Sequence, residues 1–140
     1  MRKLNTQRRT AAAACEMAIV FPAVLLIVLS FVDLGRISYA YLAVSNAARA
    51  GAEQGATQRF NDYTRPDWEQ DIHDAVLDEM QSLADFDPAL LTVDIDTNQN
   101  AYGETRVVVA VSYPFQQSLG WLSTFTTQPM QRSVQMLQIR

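Results

Sequence analysis

The strongest pattern in the chain is an apolar run near its N-terminus, from Ala11 to Val32. Within these 22 residues the only charged side chain is Glu16 and the only other polar side chain is Ser30. A helix of this length measures about 33 Å, which is enough to cross the roughly 30 Å hydrocarbon core of a bilayer. The run therefore predicts a membrane-spanning helix, in which Pro22 is expected to introduce a slight kink.

The helical pattern continues beyond the apolar run. Residues 36–59 contain no proline and are rich in alanine, which favours helix. Two aromatic residues in this stretch, Tyr39 and Tyr41, stand where membrane-interface aromatics are expected. Small residues recur every four positions and form one ridge that lets another backbone approach closely: Ala43, Ala47, Gly51 and Gly55. The partner of this ridge is either a helix of another subunit or the chain's own C-terminal part, and the sequence leaves both open.

The remaining residues predict two kinds of element. A break at 61–66 precedes an amphipathic helix from about 66 to 84, with acidic residues in its first turn. Its apolar side chains fall on one face: Trp68, Ile72, Ala75, Val76, Met80 and Leu83. Three strands are predicted after it, at 90–95, 105–113 and 130–139. A polar turn at 96–103 joins the first two. Between the last two, Trp121 and Phe125 are expected to cover a sheet edge or form a partner patch.

The predicted fold class is therefore α+β. A long N-terminal transmembrane helix continues into a small head with a second amphipathic helix and an antiparallel sheet of about three strands. The chain divides into a basic leader at 1–10, a transmembrane and juxtamembrane helix at 11–59, and the head at 60–140. A head of about eighty residues supports only a small core, so anchoring or partner subunits are expected to help stabilise it.

The charge distribution orients the helix in the membrane. The formal net charge is −4, but residues 1–10 carry +4, which leaves −8 on the rest of the chain. A basic segment beside an apolar run is typical of the positive-inside rule, which places the N-terminus in the cytoplasm and the acidic head outside. Because this rule accounts for the basic leader, nucleic acid is not expected as a partner. The four basic residues are Arg2, Lys3, Arg8 and Arg9.

A secretory signal peptide is the alternative interpretation of this segment. Ser38 and Ala40 flank Tyr39 in the pattern of a cleavage site, and cleavage there would release a protein that begins near Tyr41. The apolar run is longer than the usual apolar region of a signal peptide, which has about 7–15 residues. The helical pattern also continues through the cleavage point. Both observations favour a retained anchor.

The sequence offers little for catalysis or metal binding. Cys15 is the only cysteine, which excludes an intrachain disulfide, and His73 is the only histidine. Residues 94–100 resemble the start of a calcium loop, but Gln99 stands where that loop needs glycine and Thr105 where it needs the terminal acid. A hairpin loop is the better interpretation, and no enzyme activity, cofactor or metal site is expected. The acids near the histidine are most simply a solvated helix face: Asp71, Asp74, Asp78 and Glu79.

Glu16 is the candidate assembly residue. A carboxylate inside a membrane segment costs several kcal/mol unless it is neutralised or paired. If the chain is cut a few residues upstream, the new α-amine of one subunit is a cation that can pair with the carboxylate of its neighbour. The alternative is that Glu16 lies near the cytoplasmic interface and is hydrated there, and its position in the sequence does not separate the two.

Several segments taken together resemble the TadE-like family, whose members are minor pilins or pseudopilins of the tight-adherence (Flp-type) pilus. They cover about the first fifty residues: Arg8–Ala18, Phe21–Pro22, Asp33–Arg36 and Tyr41–Gly51. The resemblance implies that a prepilin peptidase cuts between Ala11 and Ala12, which makes Glu16 the fifth residue of the mature chain. Family members usually carry glycine before the cut and an aromatic residue after the glutamate, where this chain has Ala11 and Met17.

The function implied by this resemblance is a minor pilin or pseudopilin that contributes to assembly of a tight-adherence pilus or a related secretion filament. The implied partners are the membrane, the prepilin peptidase, other pilin or pseudopilin subunits and the pilus assembly machinery. The implied location is the bacterial inner membrane, crossed once. The alternative is a membrane-tethered binding or scaffold module that is not processed as a pilin.

Overall fold

The structure of the chain is a computed structural model. It describes residues 2–84, 86–99, 103–114 and 129–138, with side chains from Ala13 onward. The fold is α+β, as the sequence predicts. In chain order its elements are helix α1 (Arg2–Thr57), helix α2 (Arg65–Met80), a 3₁₀ turn (Pro88–Leu90) and strands β1 (Thr92–Gln99), β2 (Thr105–Tyr113) and β3 (Met130–Leu137).

The chain divides into two compact units, Met1–Arg36 and Ile37–Arg140. The first contains the apolar run, whose large side chains are exposed and make no core of their own. From Ala13 onward α1 is long and apolar enough to cross a membrane, and Pro22 lies inside it without ending it. The apolar run therefore forms the membrane-compatible helix that the sequence predicts.

The second unit contains the last turns of α1, helix α2 and a three-stranded sheet. The strands pair in the order β1-β2-β3 and both pairs are antiparallel. In the middle of the sheet, Val109 of β2 lies opposite Ile95 of β1 and Val134 of β3. Side chains alternate between the two faces of a strand, and alternate residues of β2 are buried: Val107, Val109, Val111 and Tyr113.

Both helices cover this same face of the sheet. A Cβ atom added to Gly51 of α1 would contact Val76 of α2 and Val109 of β2, so the three elements meet at that point. Helix α2 contributes four buried side chains at intervals of four residues: Trp68, Ile72, Val76 and Met80. They belong to the face that the sequence predicts, and the two remaining members of that face, Ala75 and Leu83, are half-buried.

Helix α2 ends earlier than predicted, at Met80 rather than near residue 84. The Ser82 hydroxyl donates a hydrogen bond to the Glu79 carbonyl at 2.9 Å, and a short side chain that bonds to the local backbone competes with the helical ladder. The chain turns there, yet Leu83 still packs against the core. The apolar face was therefore predicted correctly, whereas the boundary was not.

Strand β1 differs more from its prediction, since it runs to Gln99 and takes in half of the segment 96–103 that the sequence assigns to a turn. Leu90, the predicted first strand residue, belongs to the 3₁₀ turn instead. Polar residues are tolerated in β1 because it is an edge strand with one face toward solvent. The predicted loop with Trp121 and Phe125 lies outside the described residues.

Candidate functional site: the N-terminal helix and its packing ridge

The predicted processing and assembly residues lie on the first part of α1. The backbone is helical at Ala11 and Ala12, and it remains helical through Glu16. The Glu16 side chain is exposed, as are those of its apolar neighbours Met17 and Ile19. Of the described side chains, none forms an ion pair with Glu16. The carboxylate is therefore presented on an apolar helix surface, where a partner or a membrane would meet it.

The four residues of the predicted ridge are brought together on one buried side of α1. Ala43 and Ala47 are buried in the core of the head. The positions where Cβ atoms would stand on the two glycines are already crowded: one on Gly51 would lie 2.7 Å from Val76 Cγ2, and one on Gly55 would lie 2.8 Å from Ile72 Cδ1 and 2.9 Å from Val107 Cγ1. Of the two partners that the sequence leaves open, the structure shows the chain's own α2 and β2 against this ridge.

A second row of small residues lies beside the ridge, and sequence reasoning missed it. These residues also follow a spacing of four and all are buried: Ala40, Val44, Ala48, Ala52 and Ala56. The two rows together make a broad, nearly flat helix face on which the sheet and α2 can both rest. The signal was present in the sequence, since residues three and four apart share a helix face.

The distal end of α1 is held by an indole hydrogen bond. Trp68 Nε1 donates to the Gly55 carbonyl oxygen at 3.1 Å, and the bond is buried. Gly55 lies in the last turn of α1, where carbonyl groups have no partner within the helix. The indole ring also stacks on Phe60 with ring centroids 4.3 Å apart. Trp68 therefore donates a hydrogen bond to the Gly55 carbonyl at the end of α1, and its ring packs at the same end of the core.

Replacing Trp68 by phenylalanine is expected to lower the free energy of unfolding by about 1–3 kcal/mol, because it leaves the buried Gly55 carbonyl without a donor. The measurement is chemical denaturation of the full chain in detergent, followed by near-ultraviolet circular dichroism. Tyr63→Phe is the matched control, since the Tyr63 side chain is 94% exposed and its loss of a hydroxyl should change nothing. Equal unfolding midpoints for the two variants would contradict the role given to the indole.

The residues considered for metal binding lie apart from this helix. Asp94, Asp96 and Asn98 occupy alternate, exposed positions of β1, in extended backbone rather than in a loop. The hairpin-loop interpretation was therefore wrong for 96–99, which are strand. His73 is half-buried on α2. Within the described residues, no group of three or more His, Cys, Asp or Glu side chains is placed to hold a metal ion.

One family of known proteins matches this chain, and the matched residues lie within α1. The family model described as TadE-like protein matches residues 11–53, a segment that contains Glu16 and the ridge as far as Gly51. No curated protein and no solved structure matches the chain. The match confirms the resemblance predicted from the sequence and ends within the buried rows of α1. Residues 11–53 are therefore similar to the TadE-like family.

Proposed function

We propose that this chain is a minor pilin or pseudopilin that contributes to assembly of a tight-adherence pilus or a related secretion filament. It crosses the bacterial inner membrane once, with the basic leader in the cytoplasm and the head outside. It is an assembly subunit and not an enzyme. The observation that carries the proposal is the exposed Glu16 on an apolar helix that matches the TadE-like family.

The difference in burial between the two parts of α1 supports this proposal. From Ala40 onward two rows of small residues are buried in the head, so those residues are not available to a neighbouring subunit. The apolar side chains between Met17 and Val32 are exposed instead. Contacts with other subunits within the membrane are therefore assigned to this exposed part of the helix, and Glu16, directly before it, is the one charged residue of the apolar run from Ala11 to Val32.

Charge pairing gives Glu16 its role. After cleavage between Ala11 and Ala12, the new α-amine has an ordinary pKa of about 8 and is cationic at neutral pH. The amine lies four residues before Glu16, about 6 Å along the helix. A neighbour displaced by about this distance along the helix axis brings its amine level with the carboxylate. Each pairing removes an isolated charge from an apolar environment, which makes assembly favourable.

Co-expression with the cognate prepilin peptidase tests the processing step. The expected result is a mature chain that begins at Ala12, seen by intact-mass measurement as loss of residues 1–11. A catalytically inactive peptidase is the control and should leave the chain at full length. The variant Ala11→Gly restores the residue that the family usually carries before the cut, and it is expected to be cleaved at least as completely.

The same mass measurement separates the competing functions. A terminus near Tyr41 would contradict the proposal, because it would mean that the helix is a secretory signal that is removed. A chain that stays unprocessed with an active peptidase would favour a membrane-tethered binding or scaffold module. The departures at Ala11 and Met17 from the usual family residues are the observation in favour of that second function.

A further inference from the structure

An open groove lies at one end of the head, where the start of β3 runs beside α1. Its volume is roughly 630 Å³, which is within the range of small-molecule sites. Helix α1 forms one wall, and the start of β3 with the residue before it forms the other: Ile37, Tyr41, Leu42, Pro129, Met130 and Gln131. Most of this lining is apolar, and Leu42 is 58% exposed. We call this feature the foot groove.

The foot groove lies close in the chain to the membrane-compatible segment. Ile37 follows Val32, the last residue of the apolar run, by five residues. Five residues span at most roughly 18 Å in any conformation and about 8 Å in a helix. The polar layer of a bilayer extends about 5–8 Å beyond each side of the hydrocarbon core. If Ala11–Val32 crosses the membrane, the edge of the groove at Ile37 is therefore within reach of the lipid headgroup layer.

The rim of the groove carries a cation and one aromatic hydroxyl group. Arg132 Nη1 donates a hydrogen bond to the Tyr41 hydroxyl at 3.3 Å, and in the described part of the chain Arg132 has no carboxylate partner. A guanidinium has five N–H donors and matches the geometry of a phosphate. Tyr39 lies two residues before Tyr41 on α1, and its hydroxyl donates to the Ser82 carbonyl at 3.1 Å. Tyrosine with an apolar ring and a polar tip is typical of membrane interfaces.

We propose that the foot groove binds a phospholipid of the membrane that anchors the chain. The glycerol region and the first part of an acyl chain lie against Leu42 and Met130, and the phosphate accepts hydrogen bonds from Arg132. The inference rests on the membrane anchoring in the proposed function and adds a lipid ligand to it. The acyl chain of a phospholipid matches the apolar groove, and its anionic phosphate matches the cationic rim.

Lipid photo-cross-linking on the full chain tests the inference. The chain is reconstituted into phosphatidylcholine vesicles, with and without phosphatidylglycerol, that contain a trace phospholipid with a diazirine near the glycerol end of one acyl chain. Cross-linked residues are then mapped by mass spectrometry. We expect cross-links at Met130 and Gln131, in addition to those in the apolar run, and we expect them to increase when phosphatidylglycerol is present.

Two pairs of variants make the test specific. Arg132→Gln is expected to reduce the phosphatidylglycerol-dependent cross-linking at Gln131 about fivefold, the usual effect of one basic residue at an anionic membrane surface. Its control, Arg106→Gln, changes an exposed arginine at the opposite end of the strands and should have no effect. Leu42→Asp places a charge in the groove and should also reduce cross-linking at Gln131. Its control, Asn46→Asp, adds a charge at an exposed position one turn further along α1.

The outcomes that overturn the inference are distinct from those that overturn the proposed function. Cross-links in Ala13–Val32 without any at Met130 or Gln131 would leave the anchor in place and show that the foot groove holds no phospholipid. Cross-links at Gln131 that neither Arg132→Gln nor Leu42→Asp reduces would mean general contact with the bilayer and no site. Absence of cross-links from Ala13–Val32 as well would remove the membrane anchor, and with it both the inference and the proposed function.

Discussion

Replacing Gly51 by leucine is expected to lower the free energy of unfolding of the head by about 3 kcal/mol or more. The Cβ atom alone would lie 2.7 Å from Val76 Cγ2 and 3.3 Å from both Ile72 Cγ2 and Val109 Cγ1. The three remaining carbons of a leucine side chain have no space where α1, α2 and β2 meet. To relieve this clash, α1 would have to move away from the sheet. Such a movement would open the core where α1 packs against α2 and β2.

The smaller substitution Gly51→Ala separates two opposing effects. Alanine favours helix over glycine by about 1 kcal/mol, whereas the added carbon forces the core to shift at a cost of about 1–3 kcal/mol. The clash is with the methyl groups of side chains rather than with backbone, so the net change is expected to be a modest loss. Gly51→Ala should therefore unfold between the wild-type chain and Gly51→Leu.

Gly35→Ala is the matched control, because nothing lies within 4 Å of its added Cβ and it is a helical glycine of the same α1. It should leave the unfolding of the head unchanged. The three variants are compared as full-length chains in detergent, by thermal unfolding followed with near-ultraviolet circular dichroism. If Gly51→Leu and the wild-type chain unfold at the same temperature, the close approach of α1 to the head does not exist in solution.

The ridge illustrates what the sequence can and cannot predict about the site. A spacing of four along a helix is a property of the helix alone, so Ala43, Ala47, Gly51 and Gly55 could be placed on one face without a structure. Which surface they meet depends on residues far away in the chain, such as Ile72 and Val109. A small-residue ridge fits a neighbouring helix or a sheet equally well. The surface that packs against the ridge is therefore identified only by the three-dimensional structure.

Strand β1 shows a different limit. Asp94, Asp96 and Asn98 are polar and favour turns locally, and this led to the prediction of a loop after Ile95. In the structure the alternate residues Val93 and Ile95 face the core, and the full length of β1 pairs with β2 from Ser112 to Thr105. Pairing with a neighbouring strand thus outweighs local preference on an edge strand.

The long N-terminal helix was the most predictable element, because a helix that can span a membrane is defined by composition and length and needs no tertiary partner. The strands were next, since valine at alternate positions of β2 is a strong local signal. The groove beside Leu42 and Met130 was not predictable, because its two walls are almost ninety residues apart in the chain. Local pattern determines elements, whereas sites built from distant elements require the fold.

Replacing Glu16 by glutamine is expected to reduce assembly of the chain into pilus complexes at least tenfold. Glutamine has nearly the same shape and removes only the charge, so the change tests pairing with an α-amine and not packing. A tenfold loss corresponds to about 1.4 kcal/mol, which is a modest value for a charge pair in an apolar environment. The same change should leave anchoring intact, because a neutral side chain is easier to bury in a membrane than a carboxylate.

The two effects are measured in the same membranes. Resistance to alkaline extraction reports anchoring, and the fraction that co-purifies with other pilus subunits after mild detergent extraction reports assembly. Glu53→Gln is the matched control: Glu53 lies on the same helix and pairs with Arg49 at 2.9 Å on an exposed surface, where an ion pair contributes about 0.3–0.5 kcal/mol. Its assembly should equal that of the wild-type chain. If Glu16→Gln also assembles normally, the carboxylate is hydrated near the cytoplasmic interface and subunits associate through the exposed apolar side chains of α1 alone.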